Sequence, residues 1–163
     1  MTRSAGQVPL ETLLLAAILG VLLVYPVLQY PDHDAALAGY RNDAVYLRTS
    51  RYVPPRWEAV RHAMPALFDL LEREPHPGVR AVLGHWLFGY IHPYPDGNGR
   101  MARFVMNAML ASGGYPWTVI RVEDRDAYLN ALDSASIDAD IRAFATLVGE
   151  RARWSAERGP TTS

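Results

Sequence analysis

The sequence predicts a mainly α domain with one short β-hairpin. Apolar residues recur at helical spacing through most of the chain, a single segment alternates with the period of a strand, and glycine and proline clusters separate these stretches. At 163 residues and 50% hydrophobic, the chain can bury one real core and is too short for two comfortable ones.

The first element is "LLLAAILGVLLVYPVLQY", residues 13–30, which carries no charge. Its length is near the lower limit of about 17 residues for a membrane span. Glu11 just before it, Pro26 within it and the lack of a clean small-residue cleavage pattern favour a packed helix within residues 1–30 over a membrane insertion or a signal peptide. Membrane insertion stays open as the alternative.

Residues 31–43 mix turn formers with a short apolar patch and read as a connector. "AVYLRTSRYV", about 44–53, sets Val45, Leu47 and Thr49 on one side and Tyr46, Arg48 and Ser50 on the other, which predicts a strand or small hairpin. "PPRWEAVRHAMPALFDLLERE" then restarts a helical pattern, with prolines suited to a helix start and Pro65 expected to kink or split it. "HPGVRAVLGHWLFGYI" has so little charge around its circumference that it belongs at the centre of the domain. In "RMARFVMNAMLASGG", Met101, Phe104, Val105, Ala108 and Met109 share a buried face, Arg100, Arg103 and Asn107 lie on another, and Gly113 and Gly114 end the helix. Two further helices follow at 122–136 and 138–154, the latter with acids at its start and arginines toward its end. Residues 155–163 read as a polar tail. Trp57, Trp86, Trp117 and Trp154 are expected in the core or on helix faces, and His85 as a hydrogen-bonded core residue.

Lys and Arg number 16 against 17 Asp and Glu, so bulk charge calls for neither nucleic acid nor an anionic membrane surface. With no cysteine, thiolate nucleophiles and thiolate metal sites are excluded, and the cytoplasm is the default compartment. Any anion site must therefore be local.

One stretch supplies it. In "IHPYPDGNGRMAR", residues 91–103, two prolines and a Gly-Asn-Gly turn forbid a continued helix and allow successive amides to converge. The helix opening near Asn98 aims its free N–H groups and partial positive charge at the same point. Arg100 and Arg103 stand about 60° apart around that helix and can both lean toward a polyanion. Phosphates suit such a cradle. Asp96 inside it would repel them unless a divalent cation lies between, so Asp96 is a Mg²⁺ ligand candidate. His92 has the pKa of a base for a hydroxyl proton. Together these residues point to nucleotide phosphoryl or nucleotidyl transfer.

The stretch resembles the signature of the Fic (Fido) domain family, His-x-Phe-x-Asp/Glu-Gly-Asn-Gly-Arg-x-x-Arg, with Tyr94 in place of the phenylalanine. "AGYR", "YVPP", "GHWLFGYIHPY" and "EDRDAYLNAL" extend the resemblance over roughly Ala38 to Arg153. It implies a Fic-type helical bundle at 31–154 with a β-hairpin flap at about 44–53 over the active site, and transfer of AMP from ATP to a Ser, Thr or Tyr hydroxyl of a target protein. His92 would be the base and Asp96 the Mg²⁺ ligand, with Asn98 on the α-phosphate. Gly97 and Gly99 would offer amides, Arg100 would neutralise the β- and γ-phosphates, and Arg103 would meet the γ-phosphate or an inhibitory glutamate. Tyr94 would anchor the loop. Tyr128 falls where the family places nucleotide-pocket residues, and the target protein would dock on the flap.

The family's inhibitory pattern, Ser/Thr-x-x-x-Glu-Gly/Asn, finds only Thr146 and Glu150, followed by Arg151 instead of Gly or Asn. This leaves room for an antitoxin-like inhibitor protein. Alternatives are another donor giving UMP or phosphocholine transfer, removal of AMP from proteins, and a non-catalytic binding or membrane-tethered module. A kinase variant is disfavoured because its loop resembles Ala-Asn-Lys where this chain has Gly97-Asn98-Gly99.

Overall fold

The computed structural model describes residues 39–48 and 50–158. The apolar segment 13–30 and the end of the tail lie outside them, and no described helix is long and apolar enough to cross a membrane. Five α-helices follow in order: α1 (Trp57–Arg73), α2 (Pro77–Ile91), α3 (Asn98–Ser112), α4 (Arg125–Ile137) and α5 (Arg142–Arg158). A 3₁₀ turn, Val122–Asp124, leads into α4.

Helix α2 touches all four others and pairs most extensively with α3. Its composition explains this, because a helix without a charged face has to be covered all round. Pro77 opens it with a ring in place of an N–H that would have lacked a partner, and the His76 ring accepts from the Val79 amide at 3.4 Å.

Pro65 does not split α1, which is continuous from Trp57 to Arg73. Val60, Met64, Leu67 and Leu71 form one buried stripe running past the proline, and this packing outweighs the one lost backbone bond. On α3 the buried set includes Met101, Val105, Ala108 and Met109 as expected, with Phe104 only partly covered. Asn107 departs from the expectation: it is buried, donates to the Arg103 and Thr118 carbonyls, and accepts from the Thr118 amide at 2.6 Å. It pins the extended chain after α3. Thr118 is thereby turned inward, which leaves Trp117 outside any helix, 58% exposed and edge-on to Phe104.

Gly114, at φ 77°, closes α3 in a Schellman turn, with Tyr115 N–H donating to Leu110 O and Gly114 N–H to Ala111 O. Gly113 is needed for space, since a Cβ there would lie 2.2 Å from Cγ of Pro77 at the start of α2. Gly113→Ala is expected to destabilise the chain by about 1–3 kcal/mol, the usual cost of overpacking, read as a lower midpoint in urea with unchanged slope.

Helix α5 reaches Arg158, so residues 155–158, expected in the tail, are helical. The Arg158 guanidinium lies 4.2 Å from the centre of the Trp154 ring one turn earlier, which favours that last turn. Acids do precede this helix, where the Asp140 carboxylate accepts from the Arg142 amide at 3.0 Å.

The segment around 44–53 forms no strand among the described residues. Its Ser50 amide donates to Leu47 O in a turn, and Tyr46, Arg48, Ser50 and Tyr52 all line one cavity. The alternation in the sequence is accompanied by no ladder among the described residues and by no single inward face, since Leu47 lines the same cavity and Tyr46 is 78% exposed.

Candidate active site

The loop between α2 and α3 begins at His92, which caps α2 in the left-handed region at φ 51°, ψ 59°. Few non-glycine residues sit there, and the surroundings hold it. Chief among them is Arg41, only 3% exposed. Its amide donates to Pro93 O at 2.8 Å, and its guanidinium donates to His92 O at 2.8 Å, Asp43 O at 2.8 Å, Ile91 O at 3.4 Å and Pro55 O. One planar, five-donor group thereby ties three chain segments together.

The loop is braced again from its far end. Asn98 accepts from the Tyr94 amide at 2.9 Å and donates to the Tyr94 carbonyl at 2.7 Å. Its side chain is buried in that exchange, so Asn98 shapes the loop first and has one amide hydrogen left for a ligand. Tyr94 is buried as an anchor beside Tyr40 and Phe88, with ring centroids 5.9 and 6.2 Å away, and burial pushes its phenol up to about 12.

Gly97, at φ 80°, turns the chain into α3, whose first intrahelical bond is Met101 N–H to Gly97 O. The amides of Asn98, Gly99 and Arg100 therefore have no acceptor within the helix. Asp96 and Arg100 are exposed at the lip, 3.3 Å apart. A Cβ on Gly99 would come 3.6 Å from an Arg103 guanidinium nitrogen, which places that cation alongside the first turn.

Beside this junction lies a cavity of about 370 Å³ between α2 and α4, bounded by Tyr46, Leu47, Arg48, Ser50 and Tyr52. His92, Gly99, Arg103 and Tyr128 line it, while Asp96, Gly97, Asn98 and Arg100 stand outside its wall. Its far side holds Trp86, whose indole donates to the Ser136 hydroxyl at 3.1 Å, and Tyr52, which stacks on Tyr90 with centroids 4.6 Å apart and donates to Tyr90 O at 3.0 Å. Ser50 donates to the Asp133 carboxylate, fastening the covering segment to α4.

His92 Nδ1 lies 3.2 Å from Gly89 O. A carbonyl only accepts, so Nδ1 carries the proton and Nε2 presents a lone pair. Burial lowers the pKa of the imidazole, opposed by the Gly89 hydrogen bond and aided by the Arg41 charge. The ring is therefore neutral at neutral pH, the state a base needs.

Arg41, Tyr52 and the Ser50–Asp133 pair were not singled out as functional residues in the sequence. Arg41 and Tyr52 had a signal there, as parts of "AGYR" and "YVPP". His85 is the hydrogen-bonded core residue expected, 3.1 Å from the Tyr128 hydroxyl.

The loop thus brings the start of α3, two arginines and a neutral imidazole together. The chain belongs to the Fic/DOC family, whose profile matches residues 22–110. It is 41% identical over 120 residues to protein adenylyltransferase Fic of Nematostella vectensis, covering 71% of this chain and 27% of that protein. It is 31% identical over 122 residues to protein adenylyltransferase fic-1 of Caenorhabditis elegans, covering 72% and 23%. The chain thus spans about a quarter of the length of these curated relatives. Among solved structures, Fic-1 from C. elegans aligns with a TM-score of 0.72 at 24% identity over 97% of this chain and 53% of the other. A Fic family protein from Desulfovibrio desulfuricans aligns with 0.68 at 24% identity over 99% and 58%. At that identity the structural likeness is one of fold.

Proposed function

We propose that this chain transfers AMP from ATP to a hydroxyl of a target protein and releases pyrophosphate. The observation that carries this reading is the His92 imidazole, held by Gly89 with Nε2 open at the edge of the cavity that Gly99 and Arg103 also line. The name of its relatives, protein adenylyltransferase, supports it.

In this scheme Nε2 of His92 takes the proton of the target hydroxyl as its oxygen attacks the α-phosphorus. The bond from that phosphorus to the bridging oxygen breaks, and its electrons leave with pyrophosphate. The amides at the start of α3 and the remaining Asn98 hydrogen receive the charge developing on the α-phosphate, a fixed set of dipoles that needs no rearrangement during the reaction. Arg100 and Arg103 neutralise the outer phosphates.

A Mg²⁺ ion fits this donor set. Among the described residues no group of three His, Cys, Asp or Glu converges, and the Asp96 carboxylate is 62% exposed. One carboxylate suits an ion that keeps waters and substrate phosphates as its other ligands. Asp96 would hold it, and when bound it supplies charge neutralisation.

The 44–53 segment supplies the proposed target-docking surface, with its Leu47–Ser50 turn as the tip of the flap and an extended target strand laid along its backbone. Glu150 is exposed on α5 and is followed by Arg151, so we assign inhibition of Arg103 to a glutamate from an antitoxin-like partner. The cytoplasm, where ATP is supplied, is the proposed setting.

The test is incubation with a host lysate and ATP labelled at the α- or the γ-phosphate. Label from the α-position is expected on protein and label from the γ-position is not; the reverse would make the chain a kinase and sink the proposal. The same assay reads pH. Because burial depresses the folded His92 pKa, the acid limb of kcat/KM is expected below the ordinary histidine value of about 6.5, with activity lost only as pH falls through the depressed value.

A further inference from the structure

We propose that the extended chain around Thr118 is an unused strand edge that joins the same segment of a second copy of this protein, antiparallel and centred on Thr118, in a closed dimer. The pairing needs nothing from the reaction above.

The stretch after α3 carries no charge from Gly113 to Ile120. Among the described residues nine large apolar side chains are exposed, and four of them, Tyr115, Trp117, Val119 and Val122, fall within this one short segment. Thr118, between Trp117 at 58% and Val119 at 51%, is only 2% exposed. The side chains thus alternate out, in, out, with the period of a strand.

Asn107 decides which backbone groups are already in use. It donates to the Thr118 carbonyl and accepts from the Thr118 amide, as a neighbouring strand would. In an extended chain the N–H and C=O of one residue point to one edge and those of its neighbours to the other. Trp117 and Val119 therefore turn their amides and carbonyls away from Asn107, and neither makes a hydrogen bond among the described residues. The edge has fixed ends. The Tyr115 amide donates to Leu110 O at 3.0 Å, and the Arg121 amide to the Asp124 carboxylate at 3.2 Å.

A second copy matches this edge because the edge is complementary to itself. With the two strands antiparallel about Thr118, Trp117 of each copy lies opposite Val119 of the other, and their free amides and carbonyls pair completely. Aromatic against β-branched is a favourable cross-strand contact. One step outward Arg121 faces Tyr115, so no like charges are opposed. The Trp117 ring is already held edge-on to Phe104 at 6.2 Å, which lowers the cost of ordering it. A two-fold pair consumes the edge of both copies and leaves none for a third. No residue from Tyr115 to Val122 lines the 370 Å³ cavity, so the dimer keeps both cavities open. A contact this short belongs with the small, reversible interfaces below about 1,200 Å².

Sedimentation equilibrium of the full chain, from about 1 μM to about 1 mM, reads the association across the range of weak complexes. A reversible monomer–dimer equilibrium with no larger species is expected. Val119→Pro removes the outward N–H without touching the Asn107 bonds, and is expected to weaken the dimer about tenfold or more at an unchanged melting temperature. Trp117→Ala is expected to do the same, and carries the test if the proline disturbs the fold. Amide exchange at Trp117 and Val119 is expected to slow as the dimer fills. A monomer with both amides unprotected would leave the edge to an extended segment of another protein and overturn the self-pairing. A monomer with both amides protected at every concentration would mean that the chain covers its own edge, which also overturns it. So would a dimer indifferent to both substitutions, or species that keep growing with concentration.

Discussion

His92→Ala is expected to fold, to bind ATP with the parent's affinity, and to label target protein about 10²–10⁴-fold more slowly, the usual contribution of a general base. Folding survives because the ring makes one hydrogen bond, to Gly89 O, while the backbone at His92 is held from outside by Arg41. Binding survives because the cradle is made of amides and arginines on α3. The sharper control is His92→Asn. Asparagine accepts the left-handed backbone at φ 51° with little strain yet has no basic nitrogen, so it separates the turn from the proton transfer. It is expected to be as slow as the alanine variant, and a rate near the parent's would remove the imidazole from the chemistry.

The loop and the helices α2 and α3 were readable because their causes are local. Gly97 and Gly114 take the positive φ angles that end or begin helices, and the uncharged circumference of α2 makes it central wherever its neighbours come from. Long-range contacts left no such trace. Arg41 lies 51 residues from the His92 carbonyl it holds, and nothing in the periodicity of a short connector says that its guanidinium will be buried. Asn98 and Asn107 show a subtler limit. Both were expected on α3, Asn107 away from its buried face, but which partner a short amide chooses, and so whether it is buried, depends on the backbone brought opposite it: Tyr94 for one, Thr118 for the other. The alternation at 44–53 is joined by no ladder among the described residues, and residues from both of its sides, Leu47 as well as Tyr46 and Arg48, line the cavity, so a period of two specified neither strand pairing nor a single inward face.

Arg41→Leu is expected to be the most damaging single change to stability. The substitution keeps apolar bulk and removes the donors that four carbonyls share, those of Asp43, Pro55, Ile91 and His92. Each hydrogen bond to a charged group contributes about 1.5–3 kcal/mol, and a buried acceptor left unpaired costs about 1–3 kcal/mol. Water can reach some of these carbonyls once the guanidinium is gone, which places the net loss at about 3 kcal/mol, a melting temperature lower by about 6–12 °C for a chain of this length. The damage should be localised before it is global. Amide hydrogen exchange at Arg41 and His92 is expected to quicken at temperatures where α2 and α3 are still protected, because the clamp fixes the loop entry and the helices fix each other. Arg41→Lys should recover little, since a single ammonium cannot span carbonyls on three segments. If Arg41→Leu melted with the parent, the left-handed turn at His92 would have to be held by the Tyr94–Asn98 brace alone, and the base would owe its position to the far end of the loop.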